Sequence, residues 1–148
     1  MQLHEAAQAL NAAAVGADAA YAEVVTDSRK LTPGCLFVAL KGPRYDGHSF
    51  AEKALQQGAA GVMVAAAAEL AISPAIVVDD TLQALGKLAA WHRARMPARI
   101  AAITGSNGKT TVKEMLAAIL AEEVGSAGVL TTEGNFNNDI GMPLTLLK

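Results

Sequence analysis

Cysteine is nearly absent from this sequence. Cys35 stands alone among 148 residues, so no disulfide can close within the chain. Such usage suits a reducing compartment, and a cytoplasmic location is the expectation. Aromatic residues are scarce, at 4%, which leaves too few rings for stacking platforms along a single-stranded nucleic acid. Positive charge is not in excess either: 12 Lys and Arg against 14 Asp and Glu give a net charge of -2. That balance excludes DNA or RNA binding by bulk charge, though not a local basic pocket for a small phosphorylated ligand. The three histidines, His4, His48 and His92, lack metal-ligand spacing. The start, MQLHEAAQAL, has neither the basic region nor the apolar run of a secretory leader, and the alanine run at 65–68 is too short to cross a bilayer. No nucleic-acid or membrane partner is expected, and a monomer is the working expectation.

Hydrophobic residues make up 52% of the chain, much of it alanine. Their spacing alternates between two periods. Leu3, Ala6, Ala7 and Leu10 predict a helix over 2–13. YAEVVTDSR and CLFVALKG each read as a strand running into a polar turn. Ser49 is a candidate cap for the helix FAEKALQQG, which Gly58 closes. GVMVAA and AIVVDD read as buried strands, and residues 80–96 as a helix capped by Asp80 or Thr81 and stopped by Pro97. Strands alternating with helices place the chain in the α/β class. A domain boundary is expected in or just after that helix, drawn as 1–82 and 83–148. The second unit opens with a strand RIAAITG, a loop, a helix over about 109–122, a strand VLTTE, a Gly/Asn-rich loop and a helix PLTLLK with Pro143 near its first turn. One strand–loop–helix–strand is too little for a nucleotide-binding sheet, so a longer protein is expected.

The loop TGSNGKTT at 104–111 carries the clearest chemistry. It departs from the usual G-x-x-x-x-G-K-[ST] phosphate loop, because Ile103 stands where the first glycine belongs. Gly105, Ser106, Asn107, Gly108, Lys109, Thr110 and Thr111 form a shorter version between an apolar strand and an apolar-periodic helix. Gly105 and Gly108 allow a tight turn with inward N–H groups, and the helix start adds positive potential for phosphate. Lys109 is expected to reach the terminal phosphates of ATP and to act in catalysis. Thr110 is expected to ligate Mg²⁺, and Thr111 to bond the α-phosphate. A capped glycine turn is the bland alternative.

Two further regions stay open on their residues alone. Asn135, Asn137 and Asn138 can bind phosphate, carbonyls or a hydrated metal, or can simply hold an Asx-rich turn. TDSR at 26–29 and KGPRYDGH at 41–48 follow strands, where ligands of α/β sheets sit. Ser28 offers hydrogen bonds, and Arg29, Lys41, Arg44 and His48 offer positive charge for an anion such as a pyrophosphate. Turn formation by Asp27 and by Asp46-Gly47, with solvated basic groups, explains the same residues.

TGSNGKTTVKEML followed by GNFNNDIGMPLTLL, and TDSRKLTPGCLFVALKGPRYDGHSFAEKALQQGAAGVMV before them, resemble the Mur ligases over nearly the whole chain. The asparagine segment and the DGH triplet resemble, more narrowly, the family's D-alanyl-D-alanine-adding ligases. The resemblance implies a small N-terminal α/β domain for a UDP-linked substrate, then the start of a P-loop α/β ATP-binding domain. It implies that ATP and Mg²⁺ are used to activate the carboxylate of UDP-N-acetylmuramoyl-tripeptide as an acyl phosphate, which D-alanyl-D-alanine then attacks. It further implies that Ser28, Arg29, Lys41, Gly42, Asp46 and His48 hold the UDP substrate, with Asn135, Asn137 and Asn138 near the nucleotide and the substrate junction. Downstream catalytic groups of the family have no counterpart here, so the chain alone is expected to be inactive. Another ligase of the family, a folylpolyglutamate-type ligase, or a non-catalytic nucleotide-sugar-binding module are the competing expectations.

Overall fold

A computed structural model describes residues 1–43, 45–132 and 138–148. Helix α1, Leu3–Leu10, buries Leu3, Ala6 and Ala7, a single stripe at helical spacing. It stops earlier than predicted, at Asn11, which takes a left-handed conformation (φ 52°) that asparagine tolerates. Next come β1 (Ala13–Val15), β2 (Glu23–Val25), β3 (Cys35–Val38), a 3-10 turn at Gly47–Phe50, α2 (Ala51–Gln56), β4 (Gly61–Ala65), β5 (Ala75–Val78) and α3 (Thr81–Ala94). The five strands form one sheet in the order β1-β5-β4-β3-β2. β2 to β5 are parallel, and β1 pairs antiparallel to β5 along Ala13–Val77, Ala14–Ile76 and Val15–Ala75. Nothing periodic marks β1 in the sequence; its three residues are exposed and only the pairing defines it.

Strand β3, flanked by β4 and β2, is apolar at every position because both faces are covered. Leu36 and Val38 join Leu3, Ala6, Met63, Ile76, Leu85 and Leu88 on the face carrying α1 and α3. Phe37 and Ala39 point the other way, packing with Val62, Val64, Ala51 and Ala54 under α2. Helix α3 starts as expected at Asp80, whose carboxylate accepts from the Gln83 N–H at 2.9 Å, and ends before Pro97. Its Ala84, Leu85, Leu88 and Ala89 belong to the sheet core. At its far end Arg95 lies over the Trp91 ring at 4.5 Å and pairs with Glu5, bracing α1 against α3.

Beyond α3 the Arg93 guanidinium donates to the carbonyls of Met96 (3.0 Å) and Ala98 (2.6 Å), pinning the start of an extended segment. The segment leads to α4, Lys109–Val124, and then to α5, Gly141–Leu146. Helix α5 returns to the first core, where Ile140, Leu144, Leu146 and Leu147 pack.

Three local expectations fail. Residues 99–105 and 129–132 form no strand among the described residues; Ile100 and Leu130 lie exposed. A strand persists through its ladder, and neither edge of the five-stranded sheet pairs with these segments. Ser49 does not cap α2: its hydroxyl donates to the Asp46 carbonyl, and Asp46 caps the 3-10 turn instead. The third concerns length only, since α1 is shorter than its periodic stretch.

Candidate functional site

Because β2, β3 and β4 are parallel neighbours, the segments that follow them emerge at one end of the sheet, beyond the carboxyl ends of the strands. After β2, Asp27 closes its turn by accepting from the Arg29 N–H at 3.0 Å. The Arg29 side chain folds back on the same carboxylate, with Nε at 2.9 Å and a second nitrogen at 2.7 Å. These bonds hold the Asp27 carboxyl down to about 2 and push the Arg29 guanidinium upward. The Arg29 side chain is 87% exposed, so its outer edge can still meet an anion. Ser28 lies half-buried between them. Tyr45, on the neighbouring turn, is 78% exposed.

After β3 the chain makes a tight excursion and returns. Lys41 and Asp46 bridge as in an antiparallel pair, the Gly42 N–H donates to the Tyr45 carbonyl and the Gly47 N–H to the Leu40 carbonyl, each at 2.8 Å. Lys41, Gly42 and Asp46 are exposed along this loop. A Cβ on Gly47 would lie 2.7 Å from the Leu40 carbonyl oxygen, so only glycine allows the return strand this close. Asp46 receives the His48 N–H at 3.0 Å and His48 Nδ1 at 2.6 Å, and the two contacts hold its carboxyl below the ordinary range. Thr81, buried at 5% exposure, donates its hydroxyl to the Ala39 carbonyl at 2.8 Å and anchors the base of the excursion to α3. In the sequence Thr81 offers only a possible cap, and no motif marks its bond to the Ala39 carbonyl.

The second group of residues sits at the start of α4. Gly108 is the cap residue, with φ of 75°, a conformation that glycine adopts without strain. Gly105, Ser106 and Asn107 lie exposed before it, and Thr110 and Thr111 lie exposed in the first turn. The Lys109 ammonium is folded over the loop, donating to the carbonyls of Gly105 and, at 3.3 Å, Ser106. The loop thus presents lysine, helix-start N–H groups and two hydroxyls together, as phosphate binding requires. No group of three or more His, Cys, Asp or Glu suited to a metal occurs among the described residues. A hydroxyl such as that of Thr110 fits an ion that keeps most of its shell as water and phosphate oxygen, as Mg²⁺ does.

Asn138 serves its own turn. Its Oδ1 accepts from the N–H groups of Gly141 (2.7 Å) and Ile140 (3.2 Å) and so opens α5. Asn138 also borders an open cavity of about 400 Å³ between α3 and α5, with Gln83, Gly86, Met142 and Pro143. Asn135, Asn137 and Arg44 lie outside the described residues.

A doubly covered, mostly parallel sheet with polar turns at one end of its strands, followed by a lysine-bearing glycine loop at a helix start, defines an α/β protein. The model of the Mur ligase family, catalytic domain, matches residues 20–93, and that of the Mur ligase middle domain matches 103–148. The chain belongs to the Mur ligase family. It is 52% identical over 139 residues to the UDP-N-acetylmuramoyl-tripeptide–D-alanyl-D-alanine ligase of Escherichia coli K12, covering 94% of this chain and 30% of that protein. It is 46% identical over 129 residues to the enzyme of the same name from Bacillus subtilis, covering 84% and 27%. Among solved structures, MurF from Acinetobacter baumannii matches with a TM-score of 0.77 and 34% identity over 97% of this chain and 32% of that one. MurF from Thermotoga maritima in complex with ADP matches with a TM-score of 0.68 and 30% identity, over 84% and 28%. The chain therefore spans about a third of the length of these relatives.

Proposed function

We propose that this chain is the substrate-recognition and phosphate-loop part of an ATP-dependent ligase that adds D-alanyl-D-alanine to UDP-N-acetylmuramoyl-tripeptide. The observation that supports it most is identity of 52% across 94% of the chain to an enzyme so named, spanning both the strand-end turns and the glycine loop. The complete reaction is proposed for a protein of the relatives' full length. In it, the tripeptide carboxylate oxygen bonds to the γ-phosphorus of ATP as the bond to the β–γ bridging oxygen breaks. The amine of D-alanyl-D-alanine then attacks the acyl carbon, phosphate leaves, and an amide remains. The N–H groups at the start of α4 would cradle the phosphates, and Lys109 would swing from the loop carbonyls to the transferring phosphoryl group. Thr110 would give Mg²⁺ one ligand, and the ion would supply charge neutralisation of the phosphates.

Ser28, Arg29, Lys41, Gly42 and Asp46 are proposed to line the UDP-substrate site, with Asn135, Asn137 and Asn138 near the substrate junction. The substrate-binding unit is proposed to run through α3 rather than to stop at residue 82, because the buried face of α3 belongs to the sheet core. We also propose a cytoplasmic monomer; no helix among the described residues is long and apolar enough to cross a membrane.

The test is phosphate release dependent on both D-alanyl-D-alanine and UDP-muramoyl-tripeptide, with the amide product identified by mass. Lys109→Met in the full-length enzyme is expected to lower kcat by about 10²-fold or more. Consumption of a single amino acid or of a folate in place of the dipeptide would refute the assignment. The 148-residue chain by itself is expected to bind the UDP substrate and to form no amide.

A further inference from the structure

We propose that His48 is a positioning residue that splints the 41–46 loop to the end of β4, and is not itself a contact to the substrate. The proposal deepens the UDP-substrate site proposed above and rests on it. Both ring nitrogens are already committed inside the protein. Nε2 lies 2.9 Å from the Ala65 N–H, which must donate, so Nε2 carries no proton. The proton then sits on Nδ1 and is donated to Asp46 Oδ1 at 2.6 Å. The side chain is only 9% exposed, whereas Asp46 is 46% exposed.

The need for this splint follows from the sheet. The Ala39 N–H donates to the Met63 carbonyl, so that side of β4 faces β3. Residues two apart on a strand present their N–H groups to the same side, and Ala65 therefore also faces β3. There β3 has already ended at Val38 and turned into the 41–46 loop. The imidazole takes the ladder place that a β3 carbonyl would have filled. Through Asp46, bridged in turn to Lys41, it carries that anchor to the loop bearing the proposed anion-binding groups. A substrate that contacts Lys41 or Asp46 would feel His48 through the loop's position alone.

Two measurements on the 148-residue chain test this. Long-range ¹H–¹⁵N correlation spectra are expected to show His48 as the Nδ1–H tautomer, unchanged on saturation with UDP-N-acetylmuramoyl-tripeptide. His48→Phe, which keeps the ring volume but neither bond, is expected to weaken that ligand about tenfold, the scale of one or two lost hydrogen bonds. His48→Gln, whose carboxamide oxygen can accept from Ala65, is expected to recover most of the affinity. An Nε2–H tautomer, a tautomer change on ligand addition, or a glutamine variant no better than phenylalanine would each overturn the proposal. If the phenylalanine variant does not fold, His48→Asn, which keeps only the short donor to Asp46, replaces it; wild-type affinity in that variant overturns the proposal. A wild-type chain with the expected tautomer but no affinity for the UDP ligand would instead remove the substrate-site reading, and the positioning role with it.

Discussion

Replacing Gly47 by alanine probes the closest backbone approach at the carboxyl ends of the strands. The new Cβ would stand 2.7 Å from the Leu40 oxygen, 2.8 Å from the Leu40 nitrogen and 3.1 Å from the Ala39 carbonyl carbon. All three are backbone atoms, so no side chain can swing aside. To admit the methyl group the return strand must move off Leu40 and give up the 2.8 Å bond from the Gly47 N–H. Overpacking of this kind costs about 1–3 kcal/mol, and the lost bond about 0.5–1.5 kcal/mol, for a total of about 1.5–4.5 kcal/mol. Urea unfolding followed by far-UV circular dichroism would read the change as a lowered midpoint, and in thermal unfolding Tm is expected to fall by on the order of 10 °C. Gly86 provides the opposite sign in the same molecule. It lies within α3, where an added Cβ meets nothing within 4 Å, so Gly86→Ala is expected to stabilise by about 0.5–1 kcal/mol through backbone entropy. Wild-type stability for Gly47→Ala, or equal destabilisation by the two variants, would refute the steric account.

Two further outcomes are expected. Thr81→Val preserves shape but strands the Ala39 carbonyl, and should lower stability by about 1–2 kcal/mol in the same urea assay; an unchanged midpoint would mean that the buried hydroxyl adds nothing net. Arg29→Ala should return the Asp27 carboxyl from about 2 toward the ordinary aspartate range, observed by ¹³C carboxyl titration. Since the folded value is depressed, the contribution of this pair is present above the unfolded value and is lost as pH falls through about 2. The pair is largely exposed, so solvent screening keeps that contribution small, and local order of the 26–29 turn rather than global stability should respond.

Much of the fold is legible in the residues. The apolar runs at 35–38, 61–65 and 75–78 announce buried parallel strands, because both faces of such strands are covered. Asp80, Pro97 and the Leu82–Leu85–Leu88 spacing delimit α3 almost to the residue. The glycine loop before α4 is readable for the same reason: its chemistry is local, a lysine and two threonines at one helix start. The strand expectations that failed depend on a distant partner. Residues 99–105 have strand composition but no ladder, while 13–15 have no strand signal and acquire one from β5.

His48 shows the same division within the site. By itself the sequence determined that an imidazole stands two residues after Asp46, in a polar loop that also carries Lys41 and Arg44. That pattern admits an anion contact and a turn brace equally well. Only the tertiary structure places the Ala65 N–H, seventeen positions away, against Nε2, and with both nitrogens engaged the ring becomes a brace. The physical reason is that local spacing encodes periodicity, caps and short loops, whereas the partner of a ladder position or a ring nitrogen is set by which strands lie side by side.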